Sequence, residues 1–228
     1  MTANSEKVLG IMRQLANDIK LERFIQDRSG VKLVERRAVL LDLDPADPII
    51  DVGAWRTNEE YVKKELAWYL SEDRNITGHV DDVKIWKQVA DKDGVVNSNY
   101  GWCLFSEENG LQYQHVIEEL VANPSSRRAS MIYTRPSMWT DATENGRNDF
   151  ICTWGAQAYI RDERLEYHVL QRSCDQLYGF FNDLAWHCYV AQLLAEDLDA
   201  GLGHLYYFID SLHVYERHFP RLLKLLEA

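Results

Sequence analysis

Apolar residues in the first part of the chain recur at the spacing of one helix face. The positions that carry this pattern are Val8, Ile11, Met12, Leu15 and Ile19. Because residues three and four apart lie on the same side of a helix, they predict an amphipathic helix from about residue 5 to residue 24. A polar turn at 27–30 follows it. The apolar runs 31–34 and 38–43 then predict two strands, ended by the prolines beyond them.

A second helix is predicted after Thr57-x-x-Glu60, which has the spacing of a capping box. In a capping box the two side chains bond the free backbone N–H groups at the start of a helix. Glu65 lies beside the apolar face of this helix, with Tyr61 four residues before it and Trp68 three residues after it. Side chains at these spacings are neighbours, so we expect the Glu65 carboxyl to face aromatic surface rather than open water.

The rest of the chain alternates between strand and helix patterns. The predicted elements are a helix at 111–121, a strand at 129–133, a hairpin of 150–161 and 165–172, a helix at about 182–200, a strand at 205–209, a loop at 210–215 and a last helix that Pro220 helps to start. The hairpin brings Cys152 and Arg172 towards each other from the ends of its two strands. With no repeat or low-complexity linker, we predict an α+β fold, a mixed β-sheet with flanking helices, as a single domain over residues 1–228.

Composition narrows the possible partners. At 228 residues, of which 46% are hydrophobic, the chain can bury a full core. It has 25 Lys and Arg against 36 Asp and Glu, a net charge of −11, which argues against a nucleic-acid partner because such proteins neutralise phosphates with a basic surface. The sequence has neither the basic and then apolar run of a signal peptide nor an apolar stretch of membrane-spanning length. We therefore expect a cytoplasmic protein with no membrane partner.

The cysteine pattern favours neither a metal site nor a disulfide framework. The four cysteines, none in a C-x-x-C pair, are Cys103, Cys152, Cys174 and Cys188. Zinc ribbons and disulfide-rich domains have other spacings. His213 and His218 lie close in sequence, but no acidic or thiol ligand set accompanies them, so we expect no metal. Unpaired thiols remain, and one of them could be a nucleophile.

Cys152 is the candidate nucleophile. The thiolate is the reactive form of a cysteine, so an activated thiol needs a cation or a hydrogen-bond donor near it, and Arg172 is the candidate. Taken alone, a cysteine on a strand is more often a core residue. Arginines suit a dianionic phosphate, because each guanidinium is a fork of donors that stays charged. Taken alone, Arg127 and Arg128 are equally well read as a solvated surface pair.

Several motifs, in this order along most of the chain, resemble the thymidylate synthase family. The central one is Gln171-Arg172-Ser173-Cys174-Asp175, about twenty residues after Cys152 and just before a Gly-x-x-x-Asx helix start at Gly179. The others are Asp27-Arg28-Ser29-Gly30, Glu65-Leu66-Ala67-Trp68-Tyr69-Leu70, Ile85-Trp86, Tyr100-Gly101, Ser126-Arg127-Arg128 and His213-Val214-Tyr215. The resemblance implies the family's fold, with the sheet packed against its mate in a homodimer.

The resemblance also implies roles for residues at the reacting base. Cys152 attacks carbon 6 of a pyrimidine nucleotide, with its thiolate polarised by Arg172. Tyr100 helps to move the proton at carbon 5. Glu65 matches a buried glutamate that relays protons through ordered water, and its aromatic neighbours favour a raised pKa. Alone, Glu65 could be an ordinary charge on a helix face.

The phosphate of the nucleotide is assigned, by the same resemblance, to residues from two subunits. Arg28, Arg172 and Ser173 hold it from one chain. Arg127 and Arg128 reach across the dimer to the phosphate bound by the partner. A homodimer is therefore part of the expected site.

The remaining assignments concern the sugar and the folate. His213 and Tyr215 contact the sugar hydroxyl, whereas Trp86 and Asp175 lie against the folate. The co-substrate implied by the family is 5,10-methylenetetrahydrofolate. Because the sequence stops at Ala228, without the longer tail that closes over the folate in this family, we expect looser closure and a site that water can reach.

The sequence departs from the family at Asp183. Counting from Gly179, thymidylate synthases place an asparagine there, whose amide pairs with ring nitrogen 3 and the carbonyl of uracil. A carboxylate faces that carbonyl unfavourably, but it can accept from the exocyclic amine of cytosine and share a proton with ring nitrogen 3. The wrong base leaves a buried polar group unpaired at a cost of about 1–3 kcal/mol. We therefore expect the nucleotide substrate to carry cytosine.

Two other interpretations of Asp183 stay open. An acid in the first turn of a helix can simply compensate the helix macrodipole. An alignment with a one-residue deletion would place Asn182 at the family's asparagine instead, about 100° away around the helix.

Asp183 stands in place of the family's asparagine, and Ile151-Cys152-Thr153 stands in place of the usual Pro-Cys-His. With these differences the chain resembles the deoxycytidylate hydroxymethylase branch of the family. That implies dCMP, 5,10-methylenetetrahydrofolate and water as substrates, and 5-hydroxymethyl-dCMP and tetrahydrofolate as products. The alternatives are a thymidylate synthase or dUMP hydroxymethylase, a CMP hydroxymethylase that accepts ribose, and a nucleotide-binding regulator without turnover.

Overall fold

The computed structural model describes residues 1–53 and 55–226. Within them one mixed sheet has the strand order β1-β2-β7-β5-β4-β3, and β6 pairs with β7 beside this path. The strands are β1 Ile25–Gln26, β2 Lys32–Leu43, β3 Ser130–Ile132, β4 Thr153–Arg161, β5 Arg164–Gln171, β6 Cys174–Asp175 and β7 Gly201–Tyr215. β5 and β6 run parallel to β7, whereas the other neighbours are antiparallel. The predicted α+β class and the predicted hairpin of β4 and β5 are confirmed.

Helices of very different lengths flank the sheet. They are α1 Ala3–Lys20, α2 Glu59–Leu70, α3 Lys84–Val89, α4 Tyr100–Phe105, α5 Gln112–Ala122, α6 Met138–Asp141, α7 Phe180–Asp197 and α8 Phe219–Leu223. Short 3-10 turns lie at Glu144–Gly146, Glu216–His218 and Lys224–Leu226. In the described part of the chain, no helix combines the length and the apolar character that crossing a membrane requires.

The helix α7 lies at the centre of the core. It packs against β5 and β7 on one side and against α2 on the other. Most of its surface is therefore buried, including Leu184, His187 and Leu194, which are fully enclosed. Its first turn begins directly after β6, so the fold carries Asp183 to the ends of the central strands.

The prediction of a loop at 210–215 is wrong, because β7 continues without a break to Tyr215. Asp210 and Ser211 are typical of turns, but backbone partners hold this segment in the sheet. β2 pairs with it on one side, with Ser211 opposite Arg37. β6 pairs on the other side, with Cys174 opposite Leu212.

Two further details differ from the sequence prediction. The runs 31–34 and 38–43 form one strand, β2, which passes through Ala38 at a φ of 55° with the same register to β7 on both sides. The predicted capping box is also wrong, since the cap of α2 is Asn58, whose side chain accepts from the Tyr61 amide at 3.2 Å. Thr57 instead accepts a hydrogen bond from the Ile50 amide at 3.0 Å.

The sheet face directed away from α7 carries an apolar row. Leu40, Phe208 and Leu170 are direct cross-strand neighbours on β2, β7 and β5. Leu40 is 63% exposed and Leu170 is 40% exposed. The expectation about a short tail concerns Ala228, which lies outside the described residues.

Candidate active site

Cys152 and Arg172 are held together by the β4–β5 hairpin. Thr153 pairs with Gln171, so the residues just beyond this pair, Cys152 and Arg172, lie side by side. The Arg172 backbone amide donates to the Cys152 carbonyl at 2.9 Å, and Arg172 Nη2 lies 3.7 Å from Cys152 Sγ. The hairpin geometry therefore gives the thiol a cationic neighbour.

The guanidinium of Arg172 is fixed by the segment that precedes the thiol. Its Nε donates to the Ile151 carbonyl at 2.9 Å, and Nη2 donates to the Phe150 carbonyl at 2.5 Å. The Phe150 ring lies 4.9 Å from the guanidinium carbon and packs against the exposed ring of Trp139. These contacts orient the cation towards the sulfur.

Cys152 is a neutral thiol in the free protein. Burial raises its pKa to about 11, the Arg172 cation opposes that shift, and the Asp183 and Asp149 charges add to it. Desolvation disfavours the charged form of a thiol, so it outweighs the single cation. The sulfur therefore has to lose a proton before or as it attacks.

A buried polar network that sequence reasoning missed supports the same segment. Asp149 accepts from the Asn97 amide at 2.6 Å, the Ser98 amide at 2.8 Å and the Ser98 hydroxyl at 2.6 Å. The Asn97 side-chain oxygen in turn accepts from three guanidinium groups, those of Arg74, Arg135 and Arg147. Three donors on one carboxylate compensate its burial and tie the loop before Cys152 to the loop before α4. The run of polar residues at 97–99 was the available signal.

Tyr100 begins α4 and is buried. Its hydroxyl accepts a hydrogen bond from Thr153 Oγ1 at 3.1 Å, one residue after Cys152. Asn99 caps the helix by accepting from the Trp102 amide at 2.7 Å. Gly101 is required here, because a Cβ would lie 1.8 Å from the Tyr69 carbonyl oxygen. Burial raises the pKa of Tyr100 well above its usual value, so the group is a phenol.

Glu65 ends a chain of hydrogen bonds that begins at Trp86. The Trp86 indole donates to the Tyr61 hydroxyl at 2.8 Å, and that hydroxyl donates to Glu65 Oε1 at 2.7 Å. Burial raises the pKa of Glu65 to about 8, against the lowering effect of the Tyr61 bond. Near neutral pH, Glu65 therefore holds a proton on the wall of the site.

Asp183 lies near all of these candidates. Burial raises the pKa of its carboxyl to about 6, and a hydrogen bond from Gln171 Nε2 to Oδ2 at 2.6 Å opposes the shift. Its charge raises the pKa values of Cys152, Tyr100 and Glu65. Gln171 precedes Arg172 and pairs with Thr153, so its hydrogen bond to Asp183 places the acid beside the Cys152 segment.

Asn182, the alternative reader of the base, has a different environment. It lines a small pocket on the α2 side of α7, beside Val62, Glu65 and Leu66. Its amide donates to the Tyr178 carbonyl at 3.0 Å. This local bond uses one of the two N–H donors of the amide and fixes the side chain against its own helix.

Apart from Arg172, the predicted phosphate ligands make few side-chain contacts with described residues. Arg28 is exposed and donates to Asn148 Oδ1 at 2.8 Å. Arg127 and Arg128 are exposed on the turn before the edge strand β3, and their guanidinium groups form no hydrogen bond or ion pair with a described residue. Ser173 is half-buried, and its hydroxyl likewise has no hydrogen-bond partner among the described residues.

On the far side of β6, Asp175 lies at the edge of an aromatic group. Its Oδ1 accepts from the Leu177 amide at 2.9 Å, and Oδ2 lies 3.9 Å from Arg217 Nη2. The group itself was not predicted and consists of Trp55, Tyr178 and His218, with ring centroids 5.0–6.4 Å apart. Because its members come from three distant segments, no local pattern in the sequence reveals it.

His213 and Tyr215 lie two residues apart on β7 and therefore face the same side. Their rings are edge to face at 5.1 Å, and His213 Nδ1 lies 3.4 Å from the Ser211 carbonyl. Burial lowers the pKa of His213, so the imidazole is neutral near pH 7. Among residues 1–53 and 55–226, no cluster of three or more His, Cys, Asp or Glu side chains is arranged to hold a metal ion.

Comparison with known proteins gives one consistent result. The family model for thymidylate synthase matches residues 16–228. The deoxycytidylate 5-hydroxymethyltransferase of Enterobacteria phage T4 is 42% identical over 229 aligned residues, which cover 96% of this chain and 90% of that protein. The proteins of the same name from phages T2 and T6 match with the same identity and coverage.

Proposed function

The chain belongs to the thymidylate synthase family and is a folate-dependent one-carbon transferase, and from that premise we propose that it is a deoxycytidylate 5-hydroxymethyltransferase. The reaction is dCMP plus 5,10-methylenetetrahydrofolate plus water to 5-hydroxymethyl-dCMP plus tetrahydrofolate. The observation that carries this choice is the Asp183 carboxyl, which is hydrogen-bonded to Gln171, the residue directly before Arg172 at the Cys152 thiol.

Asp183 supports cytosine over uracil through its hydrogen-bonding capacity. A carboxyl group can accept from the exocyclic amine of cytosine and share a proton with ring nitrogen 3. Its pKa of about 6 lies close enough to neutral pH for it to gain and lose that proton during turnover. Uracil would set its carbonyl oxygen against a carboxylate oxygen, so the same site rejects it.

The first chemical role belongs to Cys152. Its sulfur adds to carbon 6 of the pyrimidine, and the electrons of the ring double bond become available at carbon 5 for the one-carbon unit. The partly exposed thiol passes its proton to water in the cleft as the bond forms, and Arg172 at 3.7 Å stabilises the negative charge on sulfur. Asp183 supports the charge that develops on the cytosine ring.

The folate supplies a one-carbon unit at the oxidation state of formaldehyde. Tyr100, beside Cys152 through Thr153, assists loss of the carbon 5 proton. Release of tetrahydrofolate leaves an exocyclic methylene on the ring. A water then adds to that carbon, one of its protons passes to the carboxylate form of Glu65, which the Tyr61 hydroxyl bonds, and expulsion of the Cys152 sulfur restores the aromatic ring.

The cleft has features suited to a folate. The half-exposed Trp86 offers an aromatic edge, and its indole is oriented by Tyr61. Asp175 retains an oxygen without a hydrogen bond that can accept from a pterin N–H group. Tyr178, which is 57% exposed, extends the aromatic surface beyond it.

We propose that the phosphate site is completed by a second copy of the chain. Arg28 and Arg172 alone offer few donors to a dianion, whereas Arg127 and Arg128 are free in one chain. The exposed row of Leu40, Phe208 and Leu170 supports a dimer that packs sheet against sheet, because exposed apolar patches mark association surfaces.

The test is tritium release from carbon 5 of labelled dCMP, CMP and dUMP in the presence of methylenetetrahydrofolate. The proposal expects fast release from dCMP and little from dUMP, and the CMP arm reports the sugar preference. Preferential release from dUMP would contradict the assignment. Binding without release from any of the three would favour a regulator instead.

A further inference from the structure

A buried chain of hydrogen bonds stands behind Asp183. Tyr207 on β7 donates from its hydroxyl to Gln171 Oε1 at 2.5 Å. Gln171 at the end of β5 donates from Nε2 to Asp183 Oδ2 at 2.6 Å. Tyr207 and Gln171 are fully buried, whereas Asp183 is partly exposed and its Oδ1 makes no hydrogen bond with a described residue.

The Tyr207 hydroxyl fixes the orientation of the Gln171 side-chain amide. Among residues 1–53 and 55–226, the Tyr207 hydroxyl has only Gln171 as a hydrogen-bond partner. A buried hydroxyl without an acceptor is costly, so its proton selects the amide oxygen. Burial and nearby charges raise the pKa of Tyr207, which keeps it a donor. The amide nitrogen is left to face Asp183.

An N–H group that points at Asp183 Oδ2 leaves that oxygen as an acceptor. If Oδ2 carried a proton, its O–H would meet the Gln171 N–H, and two donors would face each other. The proton of a neutral Asp183 is therefore confined to Oδ1. The carboxyl group then presents one donor and one acceptor in a fixed order.

That order separates the two pyrimidines. Cytosine presents an acceptor at ring nitrogen 3 and a donor at its amine, whereas uracil presents a donor at nitrogen 3 and an acceptor at its carbonyl. An acid whose proton could occupy either oxygen would match both bases. We propose that Tyr207, through Gln171, makes Asp183 read only one of them, with Oδ1 against nitrogen 3 and Oδ2 against the amine. This inference rests on the proposed function, and Tyr207 is a positioning residue that does not touch the nucleotide.

The test compares Tyr207→Phe with wild type by calorimetric binding of dCMP and dUMP and by kcat/KM for each. Loss of the hydroxyl frees the amide to turn, and we expect the preference for dCMP over dUMP to fall by about 3- to 10-fold, the value of one hydrogen bond. Tyr206→Phe is the matched control, since it removes a hydroxyl one residue away on the opposite face of the same strand. Its preference should equal that of wild type. An equal loss for both nucleotides in Tyr207→Phe would overturn the inference and assign Tyr207 a purely structural role.

A second variant keeps the test decisive. In Asp183→Asn, uracil recognition needs the new amide nitrogen at the Oδ2 position, where it would face the Gln171 N–H. Releasing the amide with Tyr207→Phe should therefore improve dUMP use more in the Asp183→Asn chain than in wild type. Strictly multiplicative effects would contradict the proposal. If wild type turned over neither nucleotide, the proposed function would fail, and the binding ratios alone would still decide whether Tyr207 sets the preference.

Discussion

The two ends of the proposed nucleotide site are built in different ways. At the base, the partly exposed Asp183 is joined to the enclosed Gln171 and Tyr207 by two short hydrogen bonds within one chain. At the phosphate, Arg127 and Arg128 are exposed on a turn, and their guanidinium groups bond no described residue. The base end is preorganised, so its specificity is a property of the single chain. For the phosphate end we propose instead that affinity depends on a second subunit.

The largest effect is expected where the two ends meet, at the sulfur. Cys152→Ala removes the nucleophile, and we expect tritium release from dCMP to fall by at least about 10³-fold. Nucleotide binding should persist, because both ends of the site remain. Cys188→Ala, a buried cysteine in the middle of α7, is the control that should keep most of the activity. Substantial turnover by Cys152→Ala would refute covalent catalysis by this residue.

The base end is altered next by Asp183→Asn. An amide can donate to the uracil carbonyl, so we expect the ratio of kcat/KM for dCMP to that for dUMP to fall by about 10- to 100-fold. Asn182→Ala should leave the ratio unchanged, because that side chain bonds the Tyr178 carbonyl. An unchanged ratio in Asp183→Asn together with a changed ratio in Asn182→Ala would show that Asn182 recognises the base.

The phosphate end is altered by Arg127→Ala, for which we expect KM for dCMP to rise by about tenfold with a smaller change in kcat. Mixing this variant with Cys152→Ala tests the two-subunit site. In randomly exchanged dimers of equal amounts of the two variants, one site in four combines an intact cysteine with an intact partner arginine, so activity at dCMP concentrations well below KM should return to about a quarter of wild type. Mixtures no more active than their components would show that Arg127 acts within its own chain.

The smallest expected effect is on the pH dependence of stability, which Glu65 should influence and Arg127 should not. Folding raises the pKa of Glu65 to about 8, so between its ordinary value and pH 8 the folded chain binds more protons than the unfolded chain. Its contribution to stability is therefore present below that window and is lost as pH rises through it. Glu65→Gln should remove part of this loss, on the order of 1–3 kcal/mol between pH 5 and pH 8 by urea unfolding. Arg127→Ala should not alter the pH dependence of unfolding.

The sequence predicted those parts of the fold that depend on local patterns. Two runs rich in aromatic and branched residues, separated by Asp162-Glu163, predicted the β4–β5 hairpin, and with it the approach of Arg172 to Cys152. The end of β7 was missed because Asp210 and Ser211 have turn chemistry, and only pairing to β2 and β6 keeps them extended. Tertiary partners override propensity at such positions.

In the candidate site too, contacts set by local sequence spacing were predicted, whereas contacts made by tertiary pairing were not. Glu65 and its neighbour Tyr61 were found because helix spacing alone places them together. The contact of Tyr207 with Gln171 was not, because their separation of 36 residues is closed only by the pairing of β5 with β7. The protonation state of Cys152 could not be predicted either, because only the packed structure shows that burial raises the pKa of the thiol more than the Arg172 cation lowers it.

The most direct test of the central claim is product analysis in ¹⁸O-labelled water. Incubation of the protein with dCMP and methylenetetrahydrofolate should yield 5-hydroxymethyl-dCMP that carries one ¹⁸O by mass spectrometry, together with tetrahydrofolate. A 5-methyl product accompanied by dihydrofolate, or dCMP left unchanged while dUMP is consumed, would contradict the account.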